Sequence, residues 1–244
     1  MKRFVTISGD KDAIEELEKV CTSPELFIER EKGRFVLKSK GFNELSNDEE
    51  IYKQACETVA RINGAVILAL GYKGNLRVED VVRVSDSGQW ILHGILSGGS
   101  SSSGKLIMKM TKADGTIVSE VEPVPKWVIL ATNNGDVDKV LRLLVMENAE
   151  WPTNFYRIFE IIKGDIKDIS KKGWVTGKAI ARFRRTVQSP EIVGDIARHG
   201  KQKEKPPSNP IDFYEAKAFI NTIVLNWLRS KIDEKSSTSK NNGA

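Results

Sequence analysis

Residues 189–227, SPEIVGDIARHGKQKEKPPSNPIDFYEAKAFINTIVLNW, set the pattern of the C-terminal half of this 244-residue chain. Ser189, Pro190 and the acid that follows are typical of a helix start, and Gly200 is typical of a helix end. A stiff PPSNP connector then leads into the clearest helical stripe of the sequence. The apolar residues of that stripe are Phe213, Ala216, Ile220, Ile223 and Trp227. The segment therefore predicts a helix, a connector and a long final helix.

The residues before this segment also predict helices. Apolar residues recur at helical spacing within residues 136–145 and again within residues 151–162, and residues 174–187 predict a basic helix. A Pro-Val-Pro sequence just before them is the natural domain boundary. We therefore predict an all-α bundle of four to five helices over residues 126–232, followed by a disordered polar tail over residues 233–244.

Residues 1–122 predict a sheet. Apolar and polar residues alternate in residues 2–7, as expected for a half-buried strand. Two further strands flank the turn at Glu31-Lys32-Gly33, and Asp114-Gly115 is a strong hairpin signal between two later strands. The N-terminal domain is therefore predicted to have a mainly antiparallel sheet.

Two short helices are expected within that domain. The second is predicted to begin with a capping box at Ser46 and to end at Asn63-Gly64. The apolar run that follows, within residues 65–72, then predicts a central strand. The predicted fold class is α+β: an N-terminal, mainly antiparallel β-sheet domain with two short helices, then a C-terminal all-α bundle.

Charge is distributed unevenly along the chain. The net charge is +5, yet residues 171–244 alone hold 15 Lys and Arg against 7 Asp and Glu. A basic C-terminal third indicates an anionic partner, nucleic acid first, while the alternative is a solvated basic face. Two cysteines, no apolar leader and no long apolar run predict a cytoplasmic protein without membrane contact.

The stretch GSSSSGK at residues 99–105 fits the spacing of a phosphate-binding loop, G-x4-G-K. The next residue, Leu106, is not the Ser or Thr that would hold magnesium, and the following residues predict a strand where a helix is needed. A Gly/Ser-rich hairpin loop is the interpretation that fits this context.

The order of the C-terminal helices and the sequence GDIARHG at residues 194–200 resemble the HEPN superfamily of small, often dimeric helical bundles. Many HEPN proteins cleave RNA or bind nucleotides, and their motif is an Arg with a His five residues later, often followed by Gly. Here His199 and Gly200 match that motif, whereas Gly194 stands at the Arg position. The residue that would stabilise charge on a phosphate is therefore missing from its usual place.

The resemblance implies a set of site residues. His199 would move a proton or bind phosphate. The substitute cation would come from the preceding helix, as Arg182, Arg184 or Arg185, with Arg185 as the expected catalytic residue. The alternative for His199 is a simple helix-capping role. The expected nucleic-acid-binding residues are Arg182, Arg184, Arg198, Lys201, Lys203 and Trp174, the last by stacking on a base. We expect no cofactor and no metal, because the two histidines and two cysteines lack metal-ligand spacing.

The sequence thus leaves two functional classes. The first is an RNA- or nucleotide-binding protein of HEPN-like type in a toxin or phage-defence setting, with metal-independent ribonuclease activity as its enzymatic form; enzyme status stays open. The sheet domain would then act as a sensor or specificity module. The alternative is a non-catalytic adaptor or interaction protein that dimerises through the helical bundle, which the Gly at position 194 favours.

Overall fold

The N-terminal unit, Met1–Asn134, is built on a six-stranded sheet. The computed structural model describes residues 2–94, 110–111, 117–118, 121, 123–146, 150–198, 201 and 204–241. The strands of the sheet are β1 (Arg3–Ser8), β2 (Thr22–Ser23), β3 (Leu26–Glu31), β4 (Arg34–Lys38), β5 (Arg77–Val84) and β6 (Trp90–Gly94). Strands β7 (Met110–Thr111) and β8 (Ile117–Val118) form a separate pair, and the turn predicted between them at Asp114-Gly115 lies outside the described residues. The helices of this unit are α1 (Lys11–Val20), α2 (Asp48–Leu70) and α3 (Val124–Thr132).

The sheet has the strand order β2-β3-β4-β1-β5-β6, and each neighbouring pair is antiparallel. Helix α1 connects β1 to the β3–β4 hairpin, and α2 connects that hairpin to β5. This is the split β-α-β order, also called ferredoxin-like, which hosts many unrelated functions. The predicted α+β class with an antiparallel N-terminal sheet is confirmed.

Both faces of the sheet bury apolar side chains. On the helix-covered face, Val5 and Leu37 are fully buried and lie opposite each other in the β1–β4 register. On the other face, Phe4, Val36 and Val82 form a separate buried cluster, against which Val84 and Trp90 pack. The Phe4 and Trp90 rings meet edge to face at 5.2 Å.

The predicted strand at residues 65–72 is wrong, because α2 continues through it as a helix of 23 residues. Asn63 does not end the helix. Its side-chain amide is buried and pairs with the backbone N–H and carbonyl of Leu76, at 2.9 and 2.8 Å. The helix ends at Gly71, whose φ of +75° gives the left-handed cap that glycine favours. An apolar run alone cannot distinguish a buried helix from a central strand.

The predicted capping box at Ser46 is displaced by one residue. Asn47 is the N-cap, and its side chain accepts a hydrogen bond from the backbone N–H of Glu50 at 2.9 Å. Ser46 instead donates to the Glu50 carboxylate through both its hydroxyl and its backbone N–H. The chemistry of the predicted motif is present, but with Asn in place of Ser.

The second unit, Gly135–Ala244, has helices and no strand among its described residues. Its helices are α4 (Gly135–Val145), α5 (Trp151–Ile166), α6 (Gly177–Val187), α7 (Pro190–Val193) and α8 (Phe213–Asn241), with 3-10 turns at Ile169–Lys172 and Gly194–Ile196. Phe183 of α6 joins the core between Phe159 and Phe219, at ring distances of 5.7 and 4.8 Å. Trp227 of α8 is fully buried in the same unit.

The division between the units falls between Asn134 and Gly135, one short helix after the predicted boundary at residues 122–126. Helix α3 belongs to the first unit because it packs on α1 and α2. Its Trp127 and Val128 are buried. A Pro at a helix start is compatible with continuing the same domain, so the Pro-Val-Pro sequence marks a helix start there and not a linker.

The predicted helix from Ser189 to Gly200 is also corrected. Helix α7 lasts four residues and ends at Gly194, whose backbone has φ +66° and ψ −147°. A 3-10 turn follows. At the other end of the unit, residues 233–241, predicted to be disordered, continue α8 as far as Asn241. Extending a helix that is already formed costs little, and no Gly or Pro interrupts these residues.

Candidate nucleic-acid interface

Arg182, predicted to contact nucleic acid, is bound to the connector that precedes α8. Its Nε donates to the carbonyl of Asn209 at 2.7 Å and its Nη2 to the carbonyl of Pro210 at 3.0 Å. The same guanidinium pairs with Glu215 at 2.7 Å. These contacts fix α6 to the start of α8, so Arg182 has a structural task.

Of the two neighbouring arginines of α6, Arg185 has a similar role, whereas Arg184 has a buried Nε. Arg185, the expected catalytic cation, donates through Nε to the carbonyl of Lys205 at 3.2 Å, with the carboxylate of Glu204 3.9 Å away. The Nε of Arg184 is buried and has no hydrogen-bond partner in the described part of the chain. The structure therefore does not present Arg182, Arg184 and Arg185 as one set of free cations.

Arg198 binds within its own unit as well. It pairs with Glu160 at 2.9 Å, and its guanidinium lies 4.3 Å from the ring centre of Tyr156. The Tyr156 hydroxyl accepts a hydrogen bond from Gln188 at 2.7 Å. Arg198 thus secures the chain after α7 against α5.

Two of the expected site residues, His199 and Lys203, lie outside the described residues, and Lys201 is exposed. The position matched to the HEPN arginine, Gly194, has a backbone conformation that is nearly restricted to glycine. Because α7 ends there, residues 194–198 do not continue as an α-helix.

Trp174, the expected stacking residue, lies in a different part of the unit, on the connector between α5 and α6. It is half-buried and makes no hydrogen bond or ring contact with the residues that the structure describes. We call residues 163–178, KGDIKDISKKGWVTGK, the lysine-rich segment. Its exposed cations are Lys163, Lys167, Lys171, Lys172 and Lys178.

The first acid of the lysine-rich segment, Asp165, is bound to α8. Lys231 donates to it at 2.8 Å, and Trp227 donates to its other oxygen through Nε1 at 2.7 Å. Partial burial acts to raise the pKa of Asp165, but the hydrogen bonds from Lys231 and Trp227 outweigh burial, so the pKa lies below its ordinary value. Asp165 is therefore a charged partner of α8.

The second acid, Asp168, is bound within the segment. Its Oδ1 accepts hydrogen bonds from the hydroxyl of Ser170 at 2.6 Å and from the backbone N–H of the same residue at 3.1 Å. The hydroxyl bond is the main reason that the pKa of Asp168 lies below its ordinary value. Asp168 thus caps the 3-10 turn, and Lys171 lies 3.8 Å from it with its side chain 84% exposed.

The start of α6 adds to the positive character of the segment. Thr176 is its N-cap, accepting a hydrogen bond from the backbone N–H of Ala179. The first turn contains Lys178 and no acid, although the positive end of a helix dipole favours acids there. This arrangement is unfavourable for the helix alone and favourable for binding an anion.

The N-terminal turns of α5 and α8 carry a second feature, an aromatic cluster of Trp151, Phe155, Phe213 and Tyr214. The rings of Phe155 and Phe213 stack at 6.1 Å, and Trp151 lies edge-on to Phe213 at 6.1 Å. Tyr214 is 78% exposed, the highest value among the exposed large apolar and aromatic residues of the described chain.

No protein-family model, no curated protein and no solved structure matches this chain. Among the described residues, no group of three or more His, Cys, Asp or Glu side chains is placed to hold a metal ion. In the same part of the chain, no helix is long and apolar enough to cross a membrane. The interpretation of the site therefore depends on its geometry alone.

Trp174 was predicted from the sequence as a site residue, whereas the lysines of the lysine-rich segment were not. A signal was present, since five lysines fall within 16 residues there against two acids. The count alone does not distinguish this segment from the Arg182–Lys205 region. The distinction comes from contacts. Asp165 and Asp168 are hydrogen-bonded within their unit, and the arginines Arg182, Arg185 and Arg198 are likewise engaged in contacts.

Proposed function

We propose that this chain is an RNA-binding protein whose contact surface is the lysine-rich segment. The observation that carries the proposal is the separation of charges there. Asp165 and Asp168 are hydrogen-bonded to groups of their own unit, while five lysines of the segment that contains Trp174 are exposed. Lys171 lies 3.8 Å from Asp168, so the exposed surface of the segment carries more positive than negative charge, with five lysines against two acids.

Nucleic acid fits this combination better than a simple anion does. Lysines supply point charges for backbone phosphates, and a tryptophan supplies a flat surface on which one base can stack. Stacking requires an unpaired base, so a single strand is the form that uses both features. The absence of an acid in the first turn of α6 supports a phosphate near Lys178.

Catalysis is not part of the proposal. A HEPN-type ribonuclease would need a cation near His199, but Arg182, Arg185 and Arg198 are each engaged in contacts within the unit. The HEPN resemblance, the toxin or phage-defence setting and the cytoplasmic location remain predictions from the sequence. Incubation of labelled RNA with the wild type and with His199→Ala checks directly whether the chain cleaves RNA through His199.

The binding proposal is tested by fluorescence anisotropy with a labelled single-stranded RNA across a range of salt concentrations. The test variants are the double variant Lys171→Gln, Lys172→Gln and the single variant Trp174→Ala. The control is Lys139→Gln, which removes an exposed lysine from α4 of the same unit.

The double variant is expected to bind more weakly and to reduce the salt slope by about 0.7 for each lost phosphate contact. Trp174→Ala is expected to cost about 1–3 kcal/mol of binding free energy while leaving the slope nearly unchanged. The control should match the wild type. Equal affinities for all four proteins, or no binding at low salt, would contradict the proposal.

A second candidate function, the non-catalytic adaptor, is favoured by the aromatic cluster. Exposed aromatic side chains are enriched at protein interfaces, and Tyr214 exposes most of its ring beside Phe213. Light scattering tests it: a dimer mass that falls to the monomer mass in Tyr214→Ser supports this adaptor. A monomer mass for the wild type over the micromolar range would remove the homodimeric form.

A further inference from the structure

A cleft of about 480 Å³ opens at the edge of the first unit where β1 passes into α1. Buried residues Ile7 and Ile14 supply its apolar lining. The turn between the two elements is fixed by Gly9, because a Cβ there would lie 2.8 Å from the carbonyl oxygen of Asn75. This volume falls in the range of sites that bind small molecules.

One wall of the cleft is anionic because of a β-bulge. Between Val5 and Ile7 of β1 the register with β5 shifts, and β5 contributes an additional residue. Glu79 and Asp80 occupy the bulge, and both line the cleft. In a regular strand, consecutive side chains would point to opposite faces of the sheet, so the bulge is what brings the two carboxylates together.

Two cations also line the cleft. Lys11 lies in the first turn of α1, where the helix dipole adds partial positive charge, and its side chain is 70% exposed. Arg34 begins β4 directly after Gly33, whose φ of +78° forms the β3–β4 turn. Both cations line the cleft together with the two carboxylates.

We propose that this cleft binds a small zwitterion of the α-amino acid class. The ammonium group of the ligand contacts Glu79 and Asp80, and its carboxylate contacts Lys11 and Arg34. An ion of a single sign would be repelled by one of the two pairs, whereas a zwitterion satisfies both. The apolar lining at Ile14 gives the ligand side chain a place to pack.

The contacts that the charged groups of the cleft already make can be exchanged for contacts with a ligand. Arg34 donates to Asp80 at 2.8 Å, and the hydroxyl of Thr6 lies 3.3 Å from the same carboxylate. Glu79 accepts a hydrogen bond from the hydroxyl of Ser8 and lies 3.5 Å from Arg77, and Lys11 lies 3.7 Å from Glu15. The three cations of these pairs are 42–70% exposed, and exposed ion pairs contribute little to stability. The ammonium group of a ligand can therefore replace Arg34 and Arg77, and its carboxylate can replace Asp80 and Glu15.

The test is isothermal titration calorimetry of the full chain with each of the twenty proteinogenic amino acids. Acetate and methylammonium are the controls, since each carries one of the two charges. At least one amino acid is expected to bind, and neither control should bind at the same concentration. No heat from any amino acid, or equal binding of acetate alone, would overturn the proposal.

Two charge-removing variants, Glu79→Gln and Lys11→Gln, are each expected to weaken binding at least about tenfold. The matched control is Glu25→Gln, an exposed acid of the same unit that does not line the cleft. Amide chemical shifts report folding and location together: with the wild type, the ligand should perturb Ser8, Gly9 and Lys11. Shifts located elsewhere, or unchanged affinity in folded Glu79→Gln, would contradict the assignment.

Discussion

Asp165 and Lys231 form an ion pair of 2.7 Å that joins the last turn of α5 to the middle of α8. Trp227, one turn earlier on α8, donates its Nε1 to the same carboxylate at 2.7 Å. The pair neutralises the charge of one of the two acids in the lysine-rich segment, and it holds that segment against the long final helix. The contact that stabilises the unit therefore also leaves the lysines of the segment as its main exposed charge.

This pair predicts a pH-dependent stability. The pKa of Asp165 in the folded protein lies below its ordinary value, so its contribution is present above about pH 4, the ordinary range for Asp. It is lost as the pH falls through the lowered value. Asp165→Asn should therefore reduce the free energy of unfolding by about 1 kcal/mol at neutral pH, and by progressively less in acid.

Urea unfolding measured at pH 7 and at pH 3 checks this expectation. The control is Asp195→Asn, which removes an exposed acid of the same unit that makes no ion pair or hydrogen bond within the described chain. If Asp165→Asn and Asp195→Asn lose the same stability at both pH values, the pair does not have the assigned role.

Arg182 is expected to support the fold and not the RNA contact. Arg182→Met removes the hydrogen bonds to the carbonyls of Asn209 and Pro210 and the pair with Glu215, and should cost about 1–2 kcal/mol of unfolding free energy. Amide hydrogen exchange in the first turn of α8 should accelerate. The control is Arg157→Met, an exposed arginine of α5 for which no change is expected.

The Arg182→Met variant also distinguishes a structural role of Arg182 from a role in RNA binding. If Arg182→Met weakens RNA binding as much as the Lys171→Gln, Lys172→Gln double variant while remaining folded, the sequence-based assignment of Arg182 is supported over the structural one.

Restoring the HEPN arginine is expected to fail. Gly194→Arg places a side chain on a backbone with φ +66° and ψ −147°, which should cost about 1–3 kcal/mol of stability. No RNA cleavage should appear, because residues 194–198 do not continue the helix. Thermal unfolding and a gel assay with labelled RNA measure the two effects.

The matched control for that variant is Gly164→Ala in α5, where an added Cβ meets nothing within 4 Å. Its stability should stay the same or rise by up to about 1 kcal/mol, since Ala favours a helix. A gain of ribonuclease activity in Gly194→Arg would show that the superfamily motif operates in this chain after all.

Local signals in the sequence predicted much of the fold. The turn at Lys32-Gly33, the strand at β1 and the stripe of α8 are all as expected, because each depends on neighbouring residues. The continuation of α2 past Asn63 was not predictable in this way. It depends on Leu76, 13 residues later, whose backbone receives the buried Asn63 amide.

The candidate site was only partly predictable for a related reason. Trp174 was identified by its place before a basic helix, and the basic surplus was visible in the count. Whether a charged side chain is free to contact RNA depends on long-range ion pairs. Asp165 pairs with Lys231 across 66 residues, and Arg182 pairs with Glu215 across 33. Such pairings depend on tertiary structure and leave no local pattern in the sequence.

The position of the RNA contact is measured most directly by photo-crosslinking of a 4-thiouridine-labelled single-stranded RNA to the full chain. Mass spectrometry then locates the attached peptide. The lysine-rich segment should carry the crosslink, centred on Trp174, and Trp174→Ala should greatly reduce its yield. Crosslinks located instead at Tyr214 or within residues 198–205, with none in residues 163–178, would contradict the account.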